Sequence, residues 1–201
     1  ILSGALAITG NIYVVPSPAK PLVFSGPATV TISGSSAVLF NQCFTFLNIT
    51  FVNNNSSTAM FNLPSRSVFI GCTFQKQSGN NSYLFAGVAN CTFIECTFDG
   101  YTGSANGFLL STSGENAFIS CTMRRCSEWF VLSNGNQNRY LRCKIVDCAG
   151  GWYAYGSVII DHCYAKIGSY SNLVIETDGG GQYVIYNSVF ESGGATTLFK
   201  S

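Results

Sequence analysis

The hexapeptide FIGCTF at Phe69–Phe74 decides the fold, because the chain repeats it. The same pattern returns as FIECTF at Phe93–Phe98 and as FISCTM at Phe118–Met123. Weaker copies continue the series, whose central residues are Ile49, Cys72, Cys96, Cys121, Cys143, Cys163 and Ser188. Successive centres lie 20–25 residues apart. Self-similarity at such a period indicates a repeat architecture rather than an ordinary globular fold.

A second series of apolar stretches alternates with the first. Its members begin at Ala37, Ala59, Tyr83, Phe108, Trp129, Trp152, Leu173 and Thr197. The alternation identifies Cys96, rather than nearby Cys91, as the centre of its repeat, because only Cys96 keeps the gaps even. Both series are short and rich in β-favouring residues, and Gly, Asn, Asp and Ser turns separate them. No window keeps helical apolar spacing. The sequence predicts an all-β solenoid of about 7–8 coils, each of 20–25 residues with about three strands.

Composition excludes several functional classes. The chain has 201 residues, of which 9% are charged and 47% hydrophobic, and its formal net charge is +1. This charge predicts no nucleic-acid partner. No apolar run reaches the length of about 18 residues that a membrane span needs, so we expect no membrane insertion. The opening ILSGALAITG lacks a signal-peptide pattern, which favours a mature form or a segment of a longer chain. We assign residues 1–36 to the first coil and its leading strands, and residues 37–201 to one continuous solenoid.

The repeat resembles the right-handed single-stranded parallel β-helix of the pectate-lyase-like superfamily, and most of all the β-helix domains of phage or virus tailspikes and fibres. The resemblance runs from about Ala28 to the end of the chain. It rests on the repeated motif and on the residues before its centres, which include Asn48, Gly71, Ser120 and Asn187. In that family this position forms a tight turn, often in a left-handed conformation. Glu95, Arg142 and His162 depart from the preference. The resemblance implies a virion-surface or extracellular homotrimer.

The cysteines have a structural interpretation. Equivalent residues of successive coils form ladders, so we expect an inward cysteine stack with Ile70, Ile94, Ile119 and Leu141 beside it. The members of this stack are Cys72, Cys96, Cys121, Cys143 and Cys163. Cys126 and Cys148 follow their stack cysteines by five residues, which makes them candidates for an inter-coil disulfide. A zinc site that includes His162 is the alternative, but zinc sites favour Cys-x₂₋₄-Cys pairs on turns, and no complete arrangement of that kind is present. We therefore expect no metal and no cofactor.

The second apolar series suggests assembly. Its stretches are apolar on both strand faces, as in strands covered on both sides. A second copy of the chain is the favoured cover, with a trimer the favoured state, and a loop or further segment is the alternative. Trp129, Trp152, Tyr153 and Tyr155 then belong either to this interface or to a platform for sugar rings.

Three acidic residues are candidates for catalysis. Glu176, Asp178 and Asp161 are the candidate acids for polysaccharide cleavage, which requires two suitably placed carboxylates. The calcium-binding Asp cluster of pectate lyases and a G-x-S-x-G elbow are both missing. We favour a structural and recognition rod of a virion spike, fibre or other extracellular appendage that contacts cell-surface polysaccharide. A polysaccharide lyase or glycoside hydrolase is the first alternative, and a cell-surface adhesin is the second.

Overall fold

A computed structural model shows an all-β parallel solenoid. It describes residues 4–8, 12–14, 22–34, 38–40, 43–55, 61–62, 66–76, 85–100, 110–112, 114–126, 131–133, 137–167, 175–177, 181–192 and 199–200. Within these residues, the strands form one 15-stranded and one nine-stranded sheet, and every strand pair is parallel. We call them the first and the second sheet. The described part of the chain contains no helix. The predicted fold class is therefore confirmed.

The strands are short and follow one another in a fixed order. The first twelve are β1 Gly4–Ile8, β2 Ile12–Val14, β3 Leu22–Gly34, β4 Val38–Phe40, β5 Phe44–Asn55, β6 Phe61–Asn62, β7 Val68–Ile70, β8 Thr73–Lys76, β9 Phe85–Val88, β10 Thr92–Ile94, β11 Thr97–Asp99 and β12 Leu110–Thr112. The others are β13 Ala117–Ile119, β14 Thr122–Arg124, β15 Val131–Ser133, β16 Asn138–Leu141, β17 Lys144–Cys148, β18 Trp152–Ala154, β19 Val158–Asp161, β20 Tyr164–Ile167, β21 Ile175–Thr177, β22 Tyr183–Tyr186, β23 Val189–Ser192 and β24 Phe199–Lys200.

Strand register confirms the repeat alignment. Thr97, which follows Cys96, pairs with Thr73 of the preceding coil and with Thr122 of the next one. The same register continues through Lys144, Tyr164 and Val189. The choice of Cys96 over Cys91 was therefore correct. The second apolar series forms the second sheet, whose strands stack in the order β2-β4-β6-β9-β12-β15-β18-β21-β24.

The regular part of the solenoid is shorter than predicted. Among the described residues, about five turns, from β7 to β21, have three separate strands and a neighbouring turn on each side. The prediction of 7–8 coils was too high, because β3 and β5 run through the first corner without a break. The last turn, β22–β24, pairs on one side only within the described residues.

Inward aromatic ladders of the first sheet fill the interior of the solenoid. Their rings stack with centroids 4.7–5.1 Å apart, and they belong to Phe46, Phe69, Phe93, Phe118 and Tyr140. A second inward ladder comprises Phe51, Phe74, Phe98, Met123 and Ile145, all buried. Offset stacking of this kind adds to the free energy gained by burial.

The aliphatic residues next to the aromatic ladder face outward. Ile70, Ile94, Ile119 and Leu141 are half-buried, whereas the neighbouring aromatic side chains are fully buried. The prediction that they lie beside the interior cysteine stack was wrong. Consecutive residues of a strand point to opposite sides of the sheet, and the aromatic residue occupies the inward side.

A corner in left-handed conformation separates the two strands of each coil in the first sheet. Its residues have φ between 45° and 61°, and they are Asn48, Gly71, Glu95, Ser120, Arg142, His162 and Asn187. Glu95, Arg142 and His162 depart from the sequence preference but keep the same geometry. At Gly71 the conformation is combined with close approach, because a Cβ atom would clash with Oδ1 of Asn48.

Replacing Glu95 by asparagine is expected to raise the free energy of unfolding by about 0.5–1 kcal/mol, because asparagine tolerates the left-handed region better than glutamate. Glu95 is exposed and its φ is 53°. Urea unfolding measures the change. E115N is the matched control, since Glu115 is also exposed but lacks a positive φ. An equal gain in both variants would contradict a role for the corner conformation.

Candidate functional site

The five stack cysteines lie in the interior at the corner of each coil. Each is at most 3% exposed. Each thiol donates a hydrogen bond of 3.3–3.5 Å to the backbone carbonyl of the aromatic residue one coil earlier. These carbonyls belong to Phe46, Phe69, Phe93, Phe118 and Tyr140. The cysteine is thus a small apolar side chain that also links successive coils by a hydrogen bond.

A buried polar ladder lies at the start of the first strand in three coils, at Ser67, Asn116 and Asn138, and the sequence patterns did not reveal it. The Asn116 side-chain amide donates to Oδ1 of Asn138 at 2.9 Å, and its Oδ1 accepts the Cys91 backbone N–H at 3.0 Å. The Ser67 hydroxyl accepts the Phe44 backbone N–H in the same way. Burial raises the pKa of the Cys91 thiol to about 12, so this thiol is protonated and unreactive.

Cys126 and Cys148 face each other across successive coils. Their Sγ atoms are 2.8 Å apart and both side chains are buried. The structure holds them as free thiols. Burial raises the pKa of Cys126 well above its ordinary value. The geometry brings together the two cysteines that the sequence pairs, and their oxidation stays a prediction.

Trp152 occupies the core. Its side chain is 0% exposed in the single chain, and its ring packs edge-on against Tyr140 and Phe190. Trp152 is therefore available neither to a sugar nor to a second rod, which corrects its assignment to a binding surface. The reason is strand alternation: Trp152 and Ala154 point inward. Trp129 lies outside the described residues.

Tyr153 and Tyr155 are the outward partners of that strand and its turn. Tyr153 is half-buried and Tyr155 is 45% exposed. Their ring centroids are 5.4 Å apart with a T-shaped arrangement, and their hydroxyl oxygens are 3.4 Å apart. The pair offers an exposed aromatic ring whose position is supported by its neighbour. Such rings stack on the apolar faces of sugars.

Two of the three candidate acids, Asp161 and Glu176, belong to described strands. Asp161 ends β19 in the first sheet, and its Oδ1 lies 2.7 Å from Nδ1 of exposed His162. Glu176 belongs to β21 in the second sheet, where its backbone pairs with Tyr153. Asp178 lies outside the described residues. Asp161 and Glu176 therefore belong to different sheets of the solenoid.

A shallow groove crosses three coils next to the buried polar ladder. Its volume is about 350 Å³, and its lining includes Asn90, Glu115, Gln137 and Arg139. Arg139 donates a hydrogen bond of 3.2 Å to the Gln137 side chain. Amide, carboxylate and guanidinium groups of this kind pair with sugar hydroxyls.

Two arginines bind one buried carboxylate, that of Asp99. All three residues lie on or just after the strands that follow the corner of each coil in the first sheet. Asp99 is 1% exposed, whereas the side chains of Arg124 and Arg125 are 45% and 54% exposed. Arg124 donates from Nε and Nη2 at 3.1 and 2.9 Å, and Arg125 donates from Nε at 2.6 Å. Hydrogen bonding to Asp99 raises the pKa of Arg125. This cluster was not predicted from the sequence, although the coil alignment places Asp99 opposite Arg124.

In the part of the chain that the structure describes, no three His, Cys, Asp or Glu side chains are grouped as metal ligands. No helix among those residues has the length and apolarity to cross a bilayer. Comparisons with protein-family models, curated proteins and solved structures found no match. The class that the fold defines is therefore the parallel β-solenoid.

Proposed function

We propose that the protein is a structural and recognition rod of a virion spike, tail fibre or related extracellular appendage, and that it contacts glycans through its outer surface. The observation that carries the proposal is the Tyr153–Tyr155 pair. It presents an aromatic surface on a scaffold in which each coil is hydrogen-bonded to the next. A rigid aromatic platform recognises sugars without a large loss of conformational entropy.

Lateral assembly belongs to the same proposal. Five aliphatic residues form an outward ladder across successive coils of the first sheet, and all of them are half-buried in the single chain: Leu47, Ile70, Ile94, Ile119 and Leu141. A continuous apolar stripe on a rod supports packing against another copy of the same rod. A trimer is the favoured state.

Glycan binding is tested with Tyr155→Ala. On a panel of neutral and acidic oligosaccharides, we expect the variant to bind its best ligand about 10-fold more weakly, because the stacking ring is removed. Tyr186→Ala is the matched control, since Tyr186 is 54% exposed but lies on another coil and sheet. Isothermal titration calorimetry gives the dissociation constants. The proposal fails if the unmodified protein binds no glycan, or if both variants lose affinity equally.

The assembly part is tested on the same preparation. Light scattering is expected to give the mass of three chains for the unmodified protein and that of one chain for Ile94→Asp/Ile119→Asp. A monomer before mutation would contradict lateral assembly. Analysis of the oligosaccharides after incubation would reveal cleavage, and cleavage by the unmodified protein would favour the enzymatic alternative.

A further inference from the structure

Positive charge is concentrated on the first-sheet strands that follow the corner of each coil. Four of the chain's ten Lys and Arg residues lie on β14, β17, β20 and the corner after β14, and all four are exposed. We call them the basic face: Arg124, Arg125, Lys144 and Lys166. Because the whole chain has a net charge of only +1, this grouping is a local concentration of basic side chains among the described residues.

The Asp99 carboxylate holds the Arg124 and Arg125 side chains next to each other. Each guanidinium uses its Nε–Nη2 edge for the Asp99 carboxylate, so the Nη1 group of each arginine remains outside that contact. A single carboxylate compensates one of the two positive charges. Two guanidinium groups held side by side with one uncompensated charge are suited to an oxyanion, since guanidinium donors match carboxylate and sulfate oxygens.

An aromatic ring lies between the two lysines of the basic face. Lys144 pairs in register with Tyr164, and its Nζ lies 6.0 Å from the Tyr164 ring centroid. Lys166 follows two residues after Tyr164 on the same strand and therefore on the same side. The Tyr164 hydroxyl donates to Oε2 of Glu191 at 3.0 Å, which fixes the ring. Cations beside a half-buried ring suit a sugar that carries a negative charge.

Acidic groups limit the size of the ligand. Exposed Asp147 occupies the corner position one coil after Arg125, and Glu191 borders Lys166. These carboxylates interrupt the basic face, whereas binding of a nucleic acid requires a longer run of phosphate contacts. Strands in a sheet are about 4.8 Å apart, so the three strands match two or three sugar units.

We propose that the basic face binds an acidic polysaccharide through uronate carboxylates or sulfate esters. This inference rests on the proposed recognition function and assigns the ligand class. Arg124 and Arg125 hold the oxyanion, and Lys144, Lys166 and Tyr164 bind the adjoining sugar.

The test uses three hexasaccharides: a sulfated heparin fragment, an oligogalacturonate and a neutral maltohexaose. Calorimetry at about 50 mM salt is expected to show binding of at least one acidic oligosaccharide. When the salt concentration is raised, the affinity is expected to fall more than 10-fold, because salt screens the charges. The difference between the heparin and galacturonate arms distinguishes sulfate from carboxylate. Failure of both acidic ligands would overturn the inference. Neutral binding that depends on Tyr155 would still leave the proposed function standing.

Two double variants separate specific contacts from net charge. Arg124→Gln/Arg125→Gln and Lys144→Gln/Lys166→Gln are each expected to weaken binding about 10-fold. The lysine variant leaves Asp99 and its arginines intact, so it remains informative if the arginine variant is unstable. Arg66→Gln/Arg142→Gln is the matched control, because it removes the same charge from two exposed arginines that lie outside the basic face. An equal loss in the control would overturn the inference, as would a preference for a single-stranded oligonucleotide over both acidic sugars.

Discussion

Replacing Phe93 by alanine is expected to lower the free energy of unfolding by about 3–5 kcal/mol. The Phe93 ring is 0% exposed and stacks between Phe69 and Phe118, with centroids 4.9 Å away on both sides. It also packs edge-on against Phe74, Phe85 and Phe98. Removing it leaves a cavity that neighbouring coils cannot close, since their spacing is held by the hydrogen bonds between strands. Denaturant unfolding with constant m-value measures the change.

The adjacent residue provides the control for this prediction. Ile94 belongs to the same strand but faces outward and is only half-buried. In the single chain, Ile94→Ala is expected to lower the free energy of unfolding by about 1 kcal/mol or less, because the half-buried side chain returns little apolar surface to water. If Ile94→Ala proved as damaging as Phe93→Ala, the inward position of the aromatic ladder and the outward position of the aliphatic one would both be contradicted.

Oxidation of Cys126 and Cys148 is expected to raise the free energy of unfolding by about 3 kcal/mol, because a cross-link across a loop of 22 residues restricts the unfolded chain. Oxidised glutathione is the oxidant: two thiols become one protein disulfide, and one glutathione disulfide becomes two reduced glutathione molecules. Since burial raises the pKa of Cys126, we expect exchange during refolding to be faster than exchange in the folded protein.

Mass spectrometry of peptides and thermal unfolding measure this second effect. The refolded chain should lose two hydrogen atoms in the peptide pair that contains Cys126 and Cys148, and a reductant should reverse the stabilisation. Cys43 is exposed, so Cys43→Ser is used as the background to prevent links between chains. Cys148→Ser in the same background should show no difference between oxidised and reduced samples. A cross-link at other cysteines, or unchanged stability, would contradict the prediction.

The fold and its register were predictable because equivalent residues of successive repeats share one environment. Equivalent side chains must fit the same position in every coil, so Cys72, Cys96 and Cys121 recur at a steady interval. The inward side of FIGCTF was not predictable in the same way. Phe69 and Ile70 are both apolar, and the apolar pattern cannot distinguish the buried residue when its neighbour is also hydrophobic.

The surface features were harder to predict, because they depend on which way each side chain points. In WYAY all four residues look alike as apolar or aromatic, but alternation buries Trp152 and exposes Tyr155. The Asp99–Arg124 pair was readable from the coil alignment, because the two residues occupy equivalent positions. The participation of Arg125 was not, because it depends on the left-handed corner, with φ of 56°, that turns its side chain toward Asp99.

The in-register pairing of successive coils has a consequence for how such a chain can change in length. Thr97 pairs with Thr73 below and Thr122 above, and each strand of this path bonds only to its immediate neighbours. Removing residues 97–121 would place Thr122 directly on Thr73 and create a single new junction between otherwise unchanged layers. Deletion of half that length would shift every later residue out of its environment. Growth and shortening by whole layers therefore preserve the architecture, so the length of the solenoid can change while the remaining layers keep their register.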